Sequence, residues 1–234
     1  MKTVAIIPAG GFGKRMRGRL SKQYLPVEGK PILAHTLSIF QLSPDIDEIV
    51  LITPDEDVQA VGRMILEPGR MTKVRHVLAG GKQRQDSVRN GLGAIGDDVD
   101  IVLIHDAVRP FITGDVIHRV VREAEKYGAV TVGMPVKDTV KRVDQEGWIL
   151  ETLNRQVLWM TQTPQAFKRS VIQAAYRRAD DDQFYGTDDA SLVERMGFRV
   201  KMIEASYDNI KITTPEDLLL AEILIKRQGG ERTS

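Results

Sequence analysis

Thr3-Val4-Ala5-Ile6-Ile7-Pro8-Ala9-Gly10-Gly11-Phe12-Gly13-Lys14-Arg15-Met16 is the stretch that decides the class of this chain. Val4 to Ile7 is an unbroken apolar run of strand length, the pattern of a strand covered on both faces. It passes at once into a loop with three glycines in four positions. Those glycines leave backbone N–H groups uncovered, and Lys14, Arg15 and Arg17 follow directly, so amide donors and fixed positive charge converge where a polyanion would sit. A tight surface turn with a basic rim would use the same residues. The dinucleotide fingerprint fails because Met16 stands where its third glycine belongs, and a P-loop fails because Arg15 follows Gly13-Lys14 in place of Ser or Thr. Lys22, in Lys22-Gln23-Tyr24, adds a further cation. Arg15 and Lys22 suit a triphosphate, one by forked hydrogen bonds and the other as a point charge.

Outward from this loop the chain alternates. Pro31 stands at a helix start, and Ile32, Leu33, Leu37 and Phe40 recur at helical spacing. Glu48 to Thr53 is a second buried strand, Asp55 to Leu66 a helix, and Val74 to Leu78 a weaker strand. That strand ends in Ala79-Gly80-Gly81, a second glycine turn, before a helix carrying Val88, Leu92 and Ile95. Asp100 to His105 is the strongest strand and finishes in Asp106-Ala107-Val108-Arg109-Pro110, a charged strand end of the kind where open α/β sheets build sites. A helix over Val116 to Tyr127 and a strand over Ala129 to Met134 continue the alternation. The fold class is α/β, a mostly parallel twisted sheet with helices on both faces.

The alternation breaks at Val136 to Leu158, where two segments flank Asp144-Gln145-Glu146-Gly147 and predict a β-hairpin. A lone hairpin is marginal in water, and this one carries Val140, Val143, Trp148, Ile149 and Leu150. It is expected to be an arm that clasps a second subunit of a homodimer, folding back on its own sheet being the alternative. Beyond it, Asp180-Asp181-Asp182 reads as a solvated loop more than a metal cluster. Thr187-Asp188-Asp189 opens a helix that Gly197 closes, Arg199 to Ile203 is a strand, and Thr214 caps a final helix with Pro215 first inside. His35, His76 and His118 lack ligand spacing and read as structural; Trp159 and Phe167 read as packing groups.

With 234 residues and 42% hydrophobic content, the chain can bury a substantial core, and it reads as one domain over residues 1–234 with 136–158 as its protruding arm. A net charge of +1 argues against bulk binding to nucleic acid. The absence of cysteine excludes disulfides, thiolate metal sites and cysteine nucleophiles, and fits a cytoplasmic protein. The N-terminal apolar run is too short for a signal peptide and no stretch approaches membrane-spanning length. No Ser-His-Asp set or paired-carboxylate arrangement is evident.

Taken together, Pro8 to Met16, Lys22-Gln23-Tyr24, Gly80-Gly81, His105 to Pro110, Thr163-Pro164-Gln165 and Asp208-Asn209-Ile210-Lys211 resemble the methylerythritol phosphate cytidylyltransferases of the non-mevalonate isoprenoid pathway, over essentially the whole chain. The resemblance implies a Rossmann-like nucleotidyltransferase fold. It also implies that CTP and 2-C-methyl-D-erythritol 4-phosphate give 4-diphosphocytidyl-2-C-methyl-D-erythritol and pyrophosphate, with a divalent metal, normally magnesium. Carried over by residue, Arg15, Lys22 and Lys211 would be catalytic. Ala9, Gly10, Gly11, Gly81, Ser87 and Ala107 would bind the nucleotide, while Asp106, Arg109 and Thr163 would face the acceptor with Thr139 and Arg155 from the partner's arm. Asp106 and Asp208 are the candidate metal contacts. One departure is Lys82, where relatives often carry an acid. The chemistry stands independently, since a phosphate monoester with a second pKa of about 6 is already largely dianionic near neutral pH and needs no general base. Alternatives are a ribitol 5-phosphate cytidylyltransferase and a non-catalytic nucleotide sensor.

Overall fold

The computed structural model describes residues 1–10 and 21–231. Gly11 and Arg15 of the first loop lie outside them. In chain order the elements are β1 (Thr3–Pro8), the two-residue strands β2 (Pro26–Val27) and β3 (Lys30–Pro31), α1 (Ile32–Leu42), β4 (Glu48–Thr53), α2 (Val58–Val61), β5 (Val74–Ala79), α3 (Arg84–Ala94) and β6 (Ile101–Ile104). Then come α4 (Gly114–Tyr127), β7 (Ala129–Pro135), β8 (Lys141–Val143), β9 (Ile149–Thr152), β10 (Trp159–Lys168), α5 (Arg169–Asp181), α6 (Asp189–Arg195), β11 (Lys201–Glu204) and α7 (Pro215–Glu231).

Seven strands form the central sheet in the order β11-β7-β10-β6-β1-β4-β5. β1 lies between β4 and β6, parallel to both, with Ile6 opposite Val50 and Ile104. Its alternation sorts the core into two layers. Val4 and Ile6 join Val88 and Leu92 of α3, with Ile172 of α5 and Leu192 of α6. Ala5 and Ile7 face the other way, among Leu33, Leu37 and Phe40 of α1 and Val120 of α4. Each buried Val, Leu, Ile or Phe side chain is worth about 1.5–3 kcal/mol relative to exposure, so the doubly covered strands anchor the sheet. A third cluster, with Val27, Val108, Phe111 and Ile212, docks α7 against the segment that follows β6.

Four details differ from the sequence pattern. β10 is a strand that apolar periodicity does not mark, and it runs antiparallel between β6 and β7. Its buried positions are partly polar, and they are satisfied individually: Gln165 Nε2 donates to Thr131 Oγ1 at 2.9 Å. Residues 55–66 form a 3-10 turn, the four-residue α2 and a π-helical turn that starts at Gly62, although Val61 and Ile65 are buried as their spacing predicts. Pro31 closes β3 and immediately precedes α1, whose first residue is Ile32. The acidic run at 180–182 ends α5, where Asp180 pairs with Arg89, and Asp182 with Arg178 and Arg195.

The hairpin of β8 and β9 stands apart from the sheet. Asp144 shapes its turn by accepting from Glu146 N at 3.0 Å and Trp148 N at 2.9 Å, with Gly147 at φ 93°. Trp148, Ile149 and Leu150 are exposed along it. No helix among the described residues is long and apolar enough to cross a membrane.

Candidate active site

The C-terminal ends of β1 and β6 and the start of α3 enclose a cavity of about 400 Å³. Ala9 and Gly10 continue β1 into one wall, Ala9 N donating to Ile52 O at 2.6 Å. The opposite wall is the second glycine turn. Gly81 N donates to Ser87 Oγ at 3.1 Å, and Ser87 Oγ donates in turn to Gln83 O at 3.2 Å. A Cβ on Gly81 would lie 2.2 Å from Asp86 Cβ, so only glycine lets this turn close against α3. Gln83 caps that helix reciprocally with Asp86, whose Oδ2 accepts from Gln83 N at 2.9 Å.

The floor is Asp106. Arg84 Nε lies 3.0 Å from its Oδ1, and Lys211 Nζ lies 2.7 Å and Arg109 Nε 3.7 Å from its Oδ2. Burial opposes the charge on this carboxyl, but Arg84, Lys211 and Arg109 outweigh it and hold the group far below the usual carboxylate range. Burial likewise opposes the charge on Arg84, and Asp189 and Asp106 more than compensate. Asp106 is thus an anion whose charge is cancelled before any ligand arrives.

Behind the floor, hydrogen bonds fix the backbone. Asp106 N donates to Thr163 Oγ1 at 3.0 Å, and that hydroxyl lies 3.1 Å from His105 Nδ1. His105 Nε2 lies 3.0 Å from Arg109 O, which can only accept, so Nε2 carries the proton and Nδ1 accepts from Thr163. Burial pushes the His105 imidazole down to about 4, consistent with that neutral tautomer. Thr36 Oγ1 holds Ala107 O at 2.8 Å, and Asn209 Nδ2 donates to Thr163 O at 2.9 Å while Arg109 donates to Asn209 O at 2.7 Å. The end of β6, the middle of β10 and the segment before α7 are therefore one hydrogen-bonded unit.

The sequence matches, over residues 3–227, the family described as 2-C-methyl-D-erythritol 4-phosphate cytidylyltransferase. The chain belongs to this family. It is accordingly an enzyme, a CTP-dependent nucleotidyltransferase. A relative of that name from Syntrophus aciditrophicus is 50% identical over 229 residues, 98% of each chain. Another, from Geotalea uraniireducens, is 50% identical over 99% of this chain and 100% of its own. Among solved structures, 4-diphosphocytidyl-2C-methyl-D-erythritol synthase from Anaerococcus prevotii superposes with a TM-score of 0.85 at 34% identity, covering 96% of both chains.

Of the residues singled out from sequence, Ala9, Gly10, Lys22, Gly81, Ser87, Asp106, Ala107 and Lys211 all line the cavity, as does Lys82. Arg109 and Thr163 lie just behind it, buttressing Asp106. Thr139 and Arg155 are not brought to it within the chain; both are exposed at the root of the arm, where Arg155 donates to Lys137 O at 2.5 Å. Asp208 is paired with Arg227. Asp106 is engaged on both oxygens by cations, and among the described residues no three acids or histidines cluster in a way that could hold a metal ion. The described donor set does not make a protein-built magnesium site. Sequence alone does not single out Arg84 and Asp189. A basic residue in a helix's first turn normally opposes the helix dipole, and only the fold reveals the two carboxylates that compensate it.

Proposed function

We propose that this enzyme transfers the cytidylyl group of CTP to 2-C-methyl-D-erythritol 4-phosphate within the cavity floored by Asp106, giving 4-diphosphocytidyl-2-C-methyl-D-erythritol and pyrophosphate. The observation that carries this reading is a glycine-lined cavity with Lys22 and Lys211 on its wall and a floor carboxylate already neutralised. A phosphate oxygen of the acceptor attacks the α-phosphorus of CTP, the bond from that phosphorus to the bridging oxygen breaks, and the electron pair leaves on pyrophosphate. No proton has to move. The barrier is the approach of one anion to another, and positive charge fixed in place lowers it.

Within this reading Lys22 and Arg15 hold the triphosphate, and the amides of Ala9, Gly10, Gly11 and Ala107, with Gly81 and Ser87, hold the nucleoside. Lys211 turns from Asp106 to the acceptor phosphate, while Asp106 faces the polyol and Arg109 and Thr163 hold that carboxylate and its backbone from behind. CTP enters as its magnesium complex, the metal belonging to the substrate, since magnesium is commonly held through substrate phosphates with few protein ligands. We further propose a cytoplasmic homodimer in which the exposed Trp148, Ile149 and Leu150 grip the second subunit and Thr139 and Arg155 reach its cavity. The marginal stability of a free two-stranded hairpin supports that arrangement.

The test is pyrophosphate release with CTP, magnesium and each of two acceptors. Methylerythritol phosphate is expected to be turned over faster than ribitol 5-phosphate. The opposite order refutes the acceptor, and CTP binding without pyrophosphate from either refutes catalysis.

A further inference from the structure

Asp189 takes no part in the reaction as described, yet it is a buried carboxylate, 1% exposed, one residue away from the cavity wall. Its Oδ2 lies 2.8 Å from Arg84 Nη1, and its Oδ1 accepts from the Tyr176 hydroxyl at 2.6 Å. Asp189 cannot drift. It is the first residue of α6, whose start is pinned when Asp188 Oδ1 accepts from Ser191 N at 2.9 Å and the wholly buried Gln165 accepts from Ala190 N at 2.9 Å.

Asp189 therefore fixes one end of a bridge whose other end is Arg84 Nε on Asp106 Oδ1. The second oxygen of Asp106 meets Lys211, whose side chain is 38% exposed and rides on a flexible stem. We propose that Asp189 is a positioning residue for the transfer, holding Arg84 against Asp106 so that this carboxylate stays neutralised when Lys211 leaves it for the acceptor phosphate. The proposal rests on the function proposed above. Without the bridge, Asp106 would depend on Lys211 and Arg109 alone, and its grip on Lys211 would tighten. Lys211 would then be withheld from the phosphate that needs it.

The test is a double-mutant cycle between Asp189→Asn and Lys211→Ala, read as pyrophosphate release with CTP and methylerythritol phosphate. Asparagine keeps the volume and loses the charge. Asp189→Asn is expected to lower kcat about tenfold, a coupling of ordinary size for residues in one network, and to leave the KM for CTP within about twofold. In the Lys211→Ala background the same substitution is expected to cost less than about twofold, because the residue it acts through is gone. A general loss of structure would instead multiply the two costs and raise both KM values. Should Asp189→Asn not fold, Tyr176→Phe replaces it in the cycle, with a loss of about fivefold from one hydrogen bond and the same vanishing in Lys211→Ala. Wild-type protein that releases no pyrophosphate overturns the function and this role together. An active wild type in which the costs multiply, or in which neither variant lowers kcat, overturns the role of Asp189 alone.

Discussion

Gly81→Ala concentrates the reasoning about the second glycine turn into one methyl group. The added Cβ would stand 2.2 Å from Asp86 Cβ, with Asp86 C at 3.2 Å and Cα at 3.3 Å. The obstacle is the first turn of α3, which cannot swing aside like the tip of a side chain. Ordinary contact begins near 3.4 Å, so the turn or the helix start must give by roughly 1.2 Å, the difference between 3.4 and 2.2 Å. Overpacking of this kind costs about 1–3 kcal/mol of stability. The functional cost is larger, because the displacement breaks the Gly81 N to Ser87 Oγ bond and moves a cavity wall. A misplacement of about 1 Å can cost on the order of a hundredfold in rate. Thermal unfolding and steady-state pyrophosphate release measure the two effects side by side, and Gly10→Ala is the control. Among the described residues a Cβ there meets nothing closer than 3.7 Å, so its stability should stay near wild type. A Gly81→Ala enzyme with unchanged melting temperature and kcat/KM would show that the turn yields freely and that the argument from close approach is wrong.

Acid should destabilise the fold through His105 before it reaches the carboxylates. The unfolded imidazole titrates near its ordinary 6.5 and the folded one at about 4, so the unfolded chain takes the proton first and stability falls as pH drops between those values. The span of about 2.5 units corresponds to about 3 kcal/mol. His35, also depressed by burial, acts in the same direction. The depressed Asp106 contributes only below about 4, as the pH falls past its unfolded value. Urea midpoints at pH 7, 5.5 and 4 should fall for the wild type and flatten for His105→Gln; equal slopes would dismiss His105 as the cause. Thr163→Val keeps the shape and leaves both Asp106 N and His105 Nδ1 without their partner, each worth about 1–3 kcal/mol. Denaturant titration should detect that loss along with reduced turnover, and wild-type stability would show that the network is dispensable. If the arm completes a neighbour's cavity, mixing Lys22→Ala with Arg155→Ala protein should restore about a quarter of wild-type activity, since half the dimers are mixed and one of their two sites is intact. Verified subunit exchange with no recovery would exclude a shared site.

The strands were legible where chemistry and burial coincide. β1, β4 and β6 carry apolar side chains on both faces because helices cover both, and their sequences show it without structure. β10 was hidden for the opposite reason. Gln162, Thr163 and Gln165 are buried polar residues whose hydrogen-bonding partners sit on other elements, so no local pattern announces them. At the cavity, Lys22, Asp106 and Lys211 were found through short motifs, each beside a loop or strand end. The pairing of Arg84 with Asp189 could not be, because it joins the start of α3 to the start of α6 across the top of the sheet. Charge balance within a site is a property of the folded molecule, and sequence supplies only its components.

The reversed direction of β10 has a mechanical result. Because this strand runs against β6 and β7, its beginning, and the hairpin feeding it, emerge at the same rim as the Asp106 floor. Thr163, which braces that floor, lies eight residues along one continuous backbone from Arg155 at the root of the protrusion. In the proposed dimer each subunit would brace its own reaction chamber and furnish its neighbour's with the same length of chain.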